Sequence, residues 1–159
     1  MTDSKYGKYI IRNPFIGGPG GAISEGIKGV TFPRELFTNT GLVKGSTTLV
    51  DIGWHFSVPD PDPIEQTHSH DFDTVSCFIG SDPKNPSCLG AELEMKLGDE
   101  KHMLTQTCVI FIPKGLTHCP LIHISVTRPY LQIVFAISDK EEYIASQFRN
   151  AVLPGTRKL

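Results

Sequence analysis

From residue 45 onward the chain is cut into short apolar stretches by turn-forming residues, and no stretch is long enough to be a buried helix. Segments 47–51, 53–58, 67–79, 91–96, 101–106, 108–112, 119–126 and 130–137 carry the β-branched and aromatic residues that suit a pleated, half-buried surface. Between them lie Pro59-Asp60-Pro61-Asp62-Pro63, the stretch 81–86, Gly98-Asp99 and Pro113-Lys114-Gly115. Fifteen glycines and twelve prolines keep every element short. Strands at this spacing have one economical solution, an antiparallel sandwich or closed barrel, so the fold class is all-β.

At 159 residues the chain is expected to form one domain with a continuous core. Residues 45–137 are assigned to the barrel and 1–44 to an N-terminal arm packing on it, with 13–29 a Gly- and Pro-rich loop and 32–37 a short helical turn after Pro33. The arm lacks the Lys and Ser/Thr of a P-loop and is not a phosphate cradle. Residues 138–159 are expected to form a C-terminal helix and tail. Ser138 is placed to cap the helix, Asp139, Glu141 and Glu142 lie in its first turn, and Tyr143, Ile144 and Phe148 share one face.

Fifteen basic against seventeen acidic residues, with no basic run, argue against nucleic acid or an anionic membrane as partner. Segment 1–8 is polar and the longest apolar runs, 108–112 and 131–137, are far shorter than a membrane span, so a soluble cytoplasmic protein is expected. Cys77, Cys88, Cys108 and Cys119 show no C-x-x-C spacing and are expected to be reduced thiols, with Cys119 turned away from His118.

His68-Ser69-His70 places two imidazoles on one face of a strand, because side-chain direction repeats every two residues. His118 follows Pro113-Lys114-Gly115, a type I turn signature. Three neutral imidazoles meeting inside a barrel make a divalent-metal site with open coordination positions.

On these residues the chain resembles the cupins, jelly-roll barrels in which an H-x-H motif and a P-x-G-x-x-H motif meet over a metal. His68 and His70, with Gly80 closing the strand, match the first motif; Pro113, Gly115 and His118 match the second. The resemblance covers about residues 45–137. It implies a cupin-type jelly-roll β-barrel with His68, His70 and His118 as metal ligands. Three departures stand out. Thr74 and Val75 occupy the positions of the usual glutamate, Asp62 and Thr107 replace motif glycines, and Ile122 replaces a late asparagine.

A replacement for the missing carboxylate has two sources. A β-bulge near Asp71 would turn Asp73 toward the metal; without one, Thr74 points inward and Asp73 outward. Glu92 and Glu94 share a face of the next strand, where one could act as base or ligand, the alternative being a solvated face. His55 either lines the cavity, as a third candidate catalytic group, or is a packed core histidine. His102 is expected to be exposed and His123, of opposite parity to His118, to face away. Tyr130 and Gln132 could offer polar contacts. The inward set is read as Phe72, Thr74, Ser76, Phe78, Pro120, Ile122 and Ile124, which suits a small aromatic or otherwise flat chelating ligand.

The resemblance leaves three functions in play. The first is a non-haem oxygenase using Fe2+ on a small aromatic or dicarbonyl compound. The second is a non-redox isomerase, cyclase, decarboxylase or lyase using Zn2+, Mn2+ or Ni2+. The third is a cupin that binds a small ligand without turnover. Cupins of this size commonly pair, so a homodimer exchanging an N-terminal strand is expected, which would also cover an exposed sheet edge.

Overall fold

A computed structural model describes Tyr6, Tyr9, Ile10, residues 28–30 and 36–38, and residues 45–138. Nine strands follow in chain order: β1 (Lys28–Val30), β2 (Leu36–Thr38), β3 (Thr48–Asp60), β4 (Asp73–Gly80), β5 (Cys88–Leu97), β6 (Glu100–Gln106), β7 (Cys108–Ile112), β8 (His118–Val126) and β9 (Tyr130–Ile137). Six of them form one antiparallel sheet in the order β1-β3-β9-β4-β7, with β2 also on β3; β6-β5-β8 form the other. The all-β class and the barrel architecture follow from this order. Most of the expected arm and the expected helix over 138–151 lie outside the described residues. Within the arm, residues 36–38 are a strand on β3 where the sequence suggested a helical turn.

The two segments read as separate strands, 47–51 and 53–58, are one thirteen-residue strand, because Gly53 continues the pleat without a break. Alternation in the large sheet is regular. Leu49, Asp51, Gly53 and His55 of β3 face inward, as do Thr74, Ser76 and Phe78 of β4 and Tyr130, Gln132, Val134 and Ala136 of β9. Register sets these side by side: Thr74 beside Ala136 and Ile112, Ser76 beside Val134, Phe78 beside Gln132.

Two apolar clusters fill the space between the sheets, one built on Phe78, Leu89, Ala91, Leu93 and Tyr130, the other on Met95, Ile112 and Cys119. Leu89 and Leu93 are fully buried; burying each such side chain stabilises the fold by roughly 1.5–3 kcal/mol. Gly80 is needed where the β4 end meets the start of β5. A Cβ there would lie 2.0 Å from the Cys88 carbonyl oxygen, and the Gly80 N–H donates to Thr107 Oγ1 at 3.0 Å. Thr107, one departure from the motif, thus holds the glycine that the motif retains. Among the described residues no helix is long and apolar enough to cross a membrane.

Candidate metal centre and its cavity

The His68–His70 segment is not part of β4, which begins only at Asp73. It is held instead by backbone bonds to the second motif. His68 N–H donates to the His118 carbonyl at 3.0 Å and His118 N–H returns to the His68 carbonyl at 2.8 Å, while Gly115 N–H donates to the His70 carbonyl at 2.7 Å. The Pro113–Leu116 turn closes with a 3.1 Å bond from Leu116 N–H to the Pro113 carbonyl, and Gly115, at its third position, supplies the positive φ, 81°, that a side chain would resist, which makes it a type II turn in place of the type I turn expected. The two motifs therefore meet through their main chains, which fixes the three rings.

The ligating atoms of His68, His70 and His118 lie within 4.8 Å of one another, and all three residues line one cavity. Ring centroids are 4.3 Å apart for His68 and His118, 4.8 Å for His68 and His70, and 5.1 Å for His70 and His118. His68 Nδ1 lies 2.6 Å from the Gln66 carbonyl and His118 Nδ1 lies 3.0 Å from the Leu116 carbonyl. A carbonyl only accepts, so each Nδ1 carries the proton and each Nε2 offers its lone pair. His70 is braced by Phe72, stacked at 4.8 Å and 6°. Burial holds the His118 pKa below the ordinary imidazole value; the Leu116 carbonyl opposes this and His68 adds to it. Neutral rings with fixed tautomers are what a borderline divalent ion such as Fe2+, Zn2+, Mn2+ or Ni2+ takes as ligands.

Glu65 is the residue that sequence reasoning missed. Its carboxylate oxygen, the His68 ring nitrogen and Cys119 Sγ form a second group within 4.8 Å, and Glu65 lines the same cavity. Burial raises its pKa, with the nearby His68 and the Cys119 thiol pulling the other way. The thiol donates to Glu65 Oε2 at 3.6 Å, and Thr67 Oγ1 ties the segment to the Cys119 carbonyl at 2.9 Å. The carboxylate was sought after the H-x-H motif and stands three residues before it. The only sequence signal was an acidic residue three places before His68, in the run Pro63-Ile64-Glu65-Gln66-Thr67.

The other candidates separate clearly. Asp73 is exposed and its Oδ1 accepts from Lys114 N–H at 2.8 Å, so it secures the turn before His118 and does not face the ligands. Thr74 is buried and lines the cavity, in keeping with its inward parity. Glu92 is exposed, and Glu94 pairs with Lys101 at 2.9 Å; neither lines the cavity, so both belong to the solvated face. His102 is exposed and 3.2 Å from Glu100. His55 is both cavity-lining and packed, stacked on Tyr130 at 4.6 Å and on His123 at 5.0 Å. Burial, then the like charge of His123, takes its pKa down to about 3, against a smaller upward effect of Gln132. A ring this weakly basic serves as a neutral hydrogen-bonding group and is a poor general base at neutral pH.

Strict alternation fails along β8, and this corrects three expectations. His118 pairs with Leu97 and His123 with Leu93, so five steps along β8 answer four along β5. The added residue is a bulge that returns His123 to the same face as His118. His123 is buried in the cavity wall, where Asp62 Oδ1 meets its Nδ1 at 2.7 Å and Tyr130 Oη meets its Nε2 at 2.7 Å. Asp62, another departure from the motif, therefore orients a ring of the cavity. Cys119 adopts a left-handed φ of 63° and its side chain joins that of His118 at the cavity, contrary to the expected outward direction. Leu121 lines the cavity in place of Pro120, Ile122 and Ile124, and Phe72 braces His70 from outside it.

The cavity holds about 630 Å³ of empty space, its open mouth included. Ile64, Phe78, Met95, Ile112, Leu121 and Val134 give it apolar patches, and among the described residues no Lys or Arg lines it. All four cysteines are free; Cys119 is buried, Cys77 and Cys108 are half-buried and Cys88 is exposed.

Two antiparallel sheets around a cavity walled by three convergent histidines form an all-β architecture with a candidate metal centre, in keeping with the cupin-type barrel that the sequence motifs imply. Solved structures similar to the chain include KdgF from Halomonas sp. (TM-score 0.44, 11% identity, 70% of this chain and 82% of that one). Others are a cupin protein from Bacteroides fragilis (TM-score 0.39, 14% identity, 59% and 68%) and hydroxypropylphosphonic acid epoxidase from S. wedmorenis (TM-score 0.40, 12% identity, 57% and 44%). At these values the likeness says nothing about activity. No family model matches the chain, and no curated protein does.

Proposed function

We propose that the chain is a metal-dependent enzyme acting on a small molecule, with His68, His70 and His118 as ligands and Glu65 as the group that moves a proton. The observation that carries this reading is the placement of one carboxyl beside His68 in the wall of a partly apolar cavity that also holds the three imidazoles. A divalent ion bound there supplies Lewis-acid polarisation of a substrate oxygen. The apolar walls exclude water, and Glu65 Oε2, held by the Cys119 thiol, is positioned to take or return a proton. His55 adds a neutral imidazole along the wall, while both ring nitrogens of His123 are engaged by Asp62 and Tyr130. This favours non-redox chemistry of the isomerase, cyclase, decarboxylase or lyase type.

A second reading, the non-haem oxygenase acting on a small aromatic or dicarbonyl compound, rests on the open positions that three histidines leave on an iron ion. Screening carbonyl and phenolic compounds with the iron-loaded and zinc-loaded protein, with an oxygen electrode in parallel, separates the two. Turnover with either metal and no oxygen uptake, lost at least about a hundredfold in Glu65→Gln with metal content kept, supports the first. Stoichiometric oxygen uptake with iron alone supports the second.

We also propose that the molecule is a homodimer. The outer face of the large sheet carries exposed Trp54, Ile79, Val109, Phe111 and Phe135. Register sets Phe135, Val75 and Phe111 in one row and Ile133, Cys77 and Val109 in the next. A contiguous apolar face of this kind is costly in water.

A further inference from the structure

The cavity wall formed by the large sheet is chemically uneven, and the unevenness has a direction. Thr74, Ser76 and Gln132 all face inward on β4 and β9, and all three line the cavity. Register places them on successive levels: Thr74 with Ala136, Ser76 with Val134, and Gln132 with Phe78. Successive inward residues of a strand are about 7 Å apart, so the polar groups rise as a ladder of roughly 7 Å steps. Met95 and Leu121, from the opposite sheet, line the same cavity and are apolar.

One of these groups is buried without a partner. Thr74 is 3% exposed and its Oγ1 has no hydrogen-bond partner, while Gln132, 7% exposed, turns its side-chain amide toward His55 and the cavity. Leaving such an oxygen unpaired in an apolar setting lowers stability, and a buried polar group in this condition calls for an explanation. Ser76, between the two levels, is 5% exposed. Among the described residues the lining holds one carboxyl and no Lys or Arg, so this wall does not suit an anionic tail.

We infer that this ladder is a ligand subsite for an elongated, uncharged, polyhydroxylated molecule, its hydroxyls donating to Gln132 Oε1 and exchanging hydrogen bonds with Thr74 Oγ1, its carbon edge lying on Met95 and Leu121. The inference names the substrate class of the proposed enzyme and so rests on that reading of the cavity. It replaces the flat aromatic ligand expected from the sequence, because the β8 bulge removes Ile122 and Ile124 from the wall and brings in His123.

The test compares sorbitol with 1,6-hexanediol, which have the same chain length and differ in their interior hydroxyls. Binding is followed by NMR line broadening and shifts on the full chain, with metal content measured on the same sample. Sorbitol is expected to bind at least about tenfold more tightly, and Thr74→Val or Gln132→Met to remove that preference. Thr74→Val, which replaces the unpaired hydroxyl by a methyl of similar size, is expected to raise the unfolding midpoint by about 2–4 °C. Equal binding of the two probes, or a lowered midpoint in Thr74→Val, overturns the inference. Metal without the sorbitol preference sinks the subsite alone; preference without metal sinks the metal-enzyme reading alone.

Discussion

Glu65, His118 and His55 show at the scale of single residues what a sequence can and cannot disclose. The convergence of His68, His70 and His118 was legible because two short motifs name these residues and the chemistry of imidazole gives them a reason to meet. Glu65 was not legible, since its position depends on how the 64–67 segment crosses β8, a long-range contact with no local signature. His55 was left open between a cavity group and a packed ring, and it is both. Its pKa of about 3 in the folded protein carries a pH signature. In the unfolded chain the ring takes its proton near 6.5, so between these values the unfolded state binds more protons. Stability therefore rises with pH across that window and is lost as pH falls from 6.5 toward 3, by at most about 5 kcal/mol from this ring. His55→Phe keeps the stacking on Tyr130 and removes the proton site. Urea midpoints measured from pH 4 to 7 should fall less steeply with acid in the variant than in the parent, His123 supplying the remaining slope. An unchanged slope would mean that His55 is not held neutral by burial.

At the scale of elements, the large sheet followed the alternation of its sequence and β8 did not. A period-two reading assumes one residue opposite one residue, and the bulge between His118 and His123 breaks this where Cys119 turns left-handed. The one local hint of the extra residue in His118-Cys119-Pro120-Leu121 is Pro120, since a sheet accepts proline chiefly at edges, strand starts and bulges. The turn before His118 is the element most directly coupled to the proposed metal ligands, because Asp73 holds Lys114 N–H and Gly115 holds the His70 carbonyl. Asp73→Asn retains an acceptor oxygen and is expected to leave metal affinity within about twofold. Asp73→Ala loses the bond, costs about 1 kcal/mol of stability, and should weaken metal binding severalfold by loosening His70 and His118 together. Isothermal titration with zinc and a denaturation series check both. Equal loss of affinity in the two variants would instead make the Asp73 carboxylate itself a participant in metal binding.

For the whole molecule, composition and turn spacing were enough to specify an antiparallel barrel, because short strands with frequent Gly and Pro have few other ways to bury their apolar faces. What the spacing does not carry is the outer surface, since an apolar outward row and an apolar inward row read alike in one dimension. The proposed homodimer makes that surface testable: sedimentation equilibrium should give twice the 17.5 kDa chain mass, and Phe111→Glu, a charge in the middle of the exposed row, should shift it to the monomer. A monomeric parent at micromolar concentration would contradict the dimer.

The central claim is that His68, His70 and His118 hold one divalent ion. Elemental analysis by inductively coupled plasma mass spectrometry, on parent protein and on the His68→Ala/His70→Ala/His118→Ala variant purified alike and shown to be folded, tests it directly. About one iron, zinc, manganese or nickel ion per parent chain and less than about a tenth of one in the variant is the expected result; the same metal content in both, or none in the parent after incubation with each ion and desalting, would contradict it.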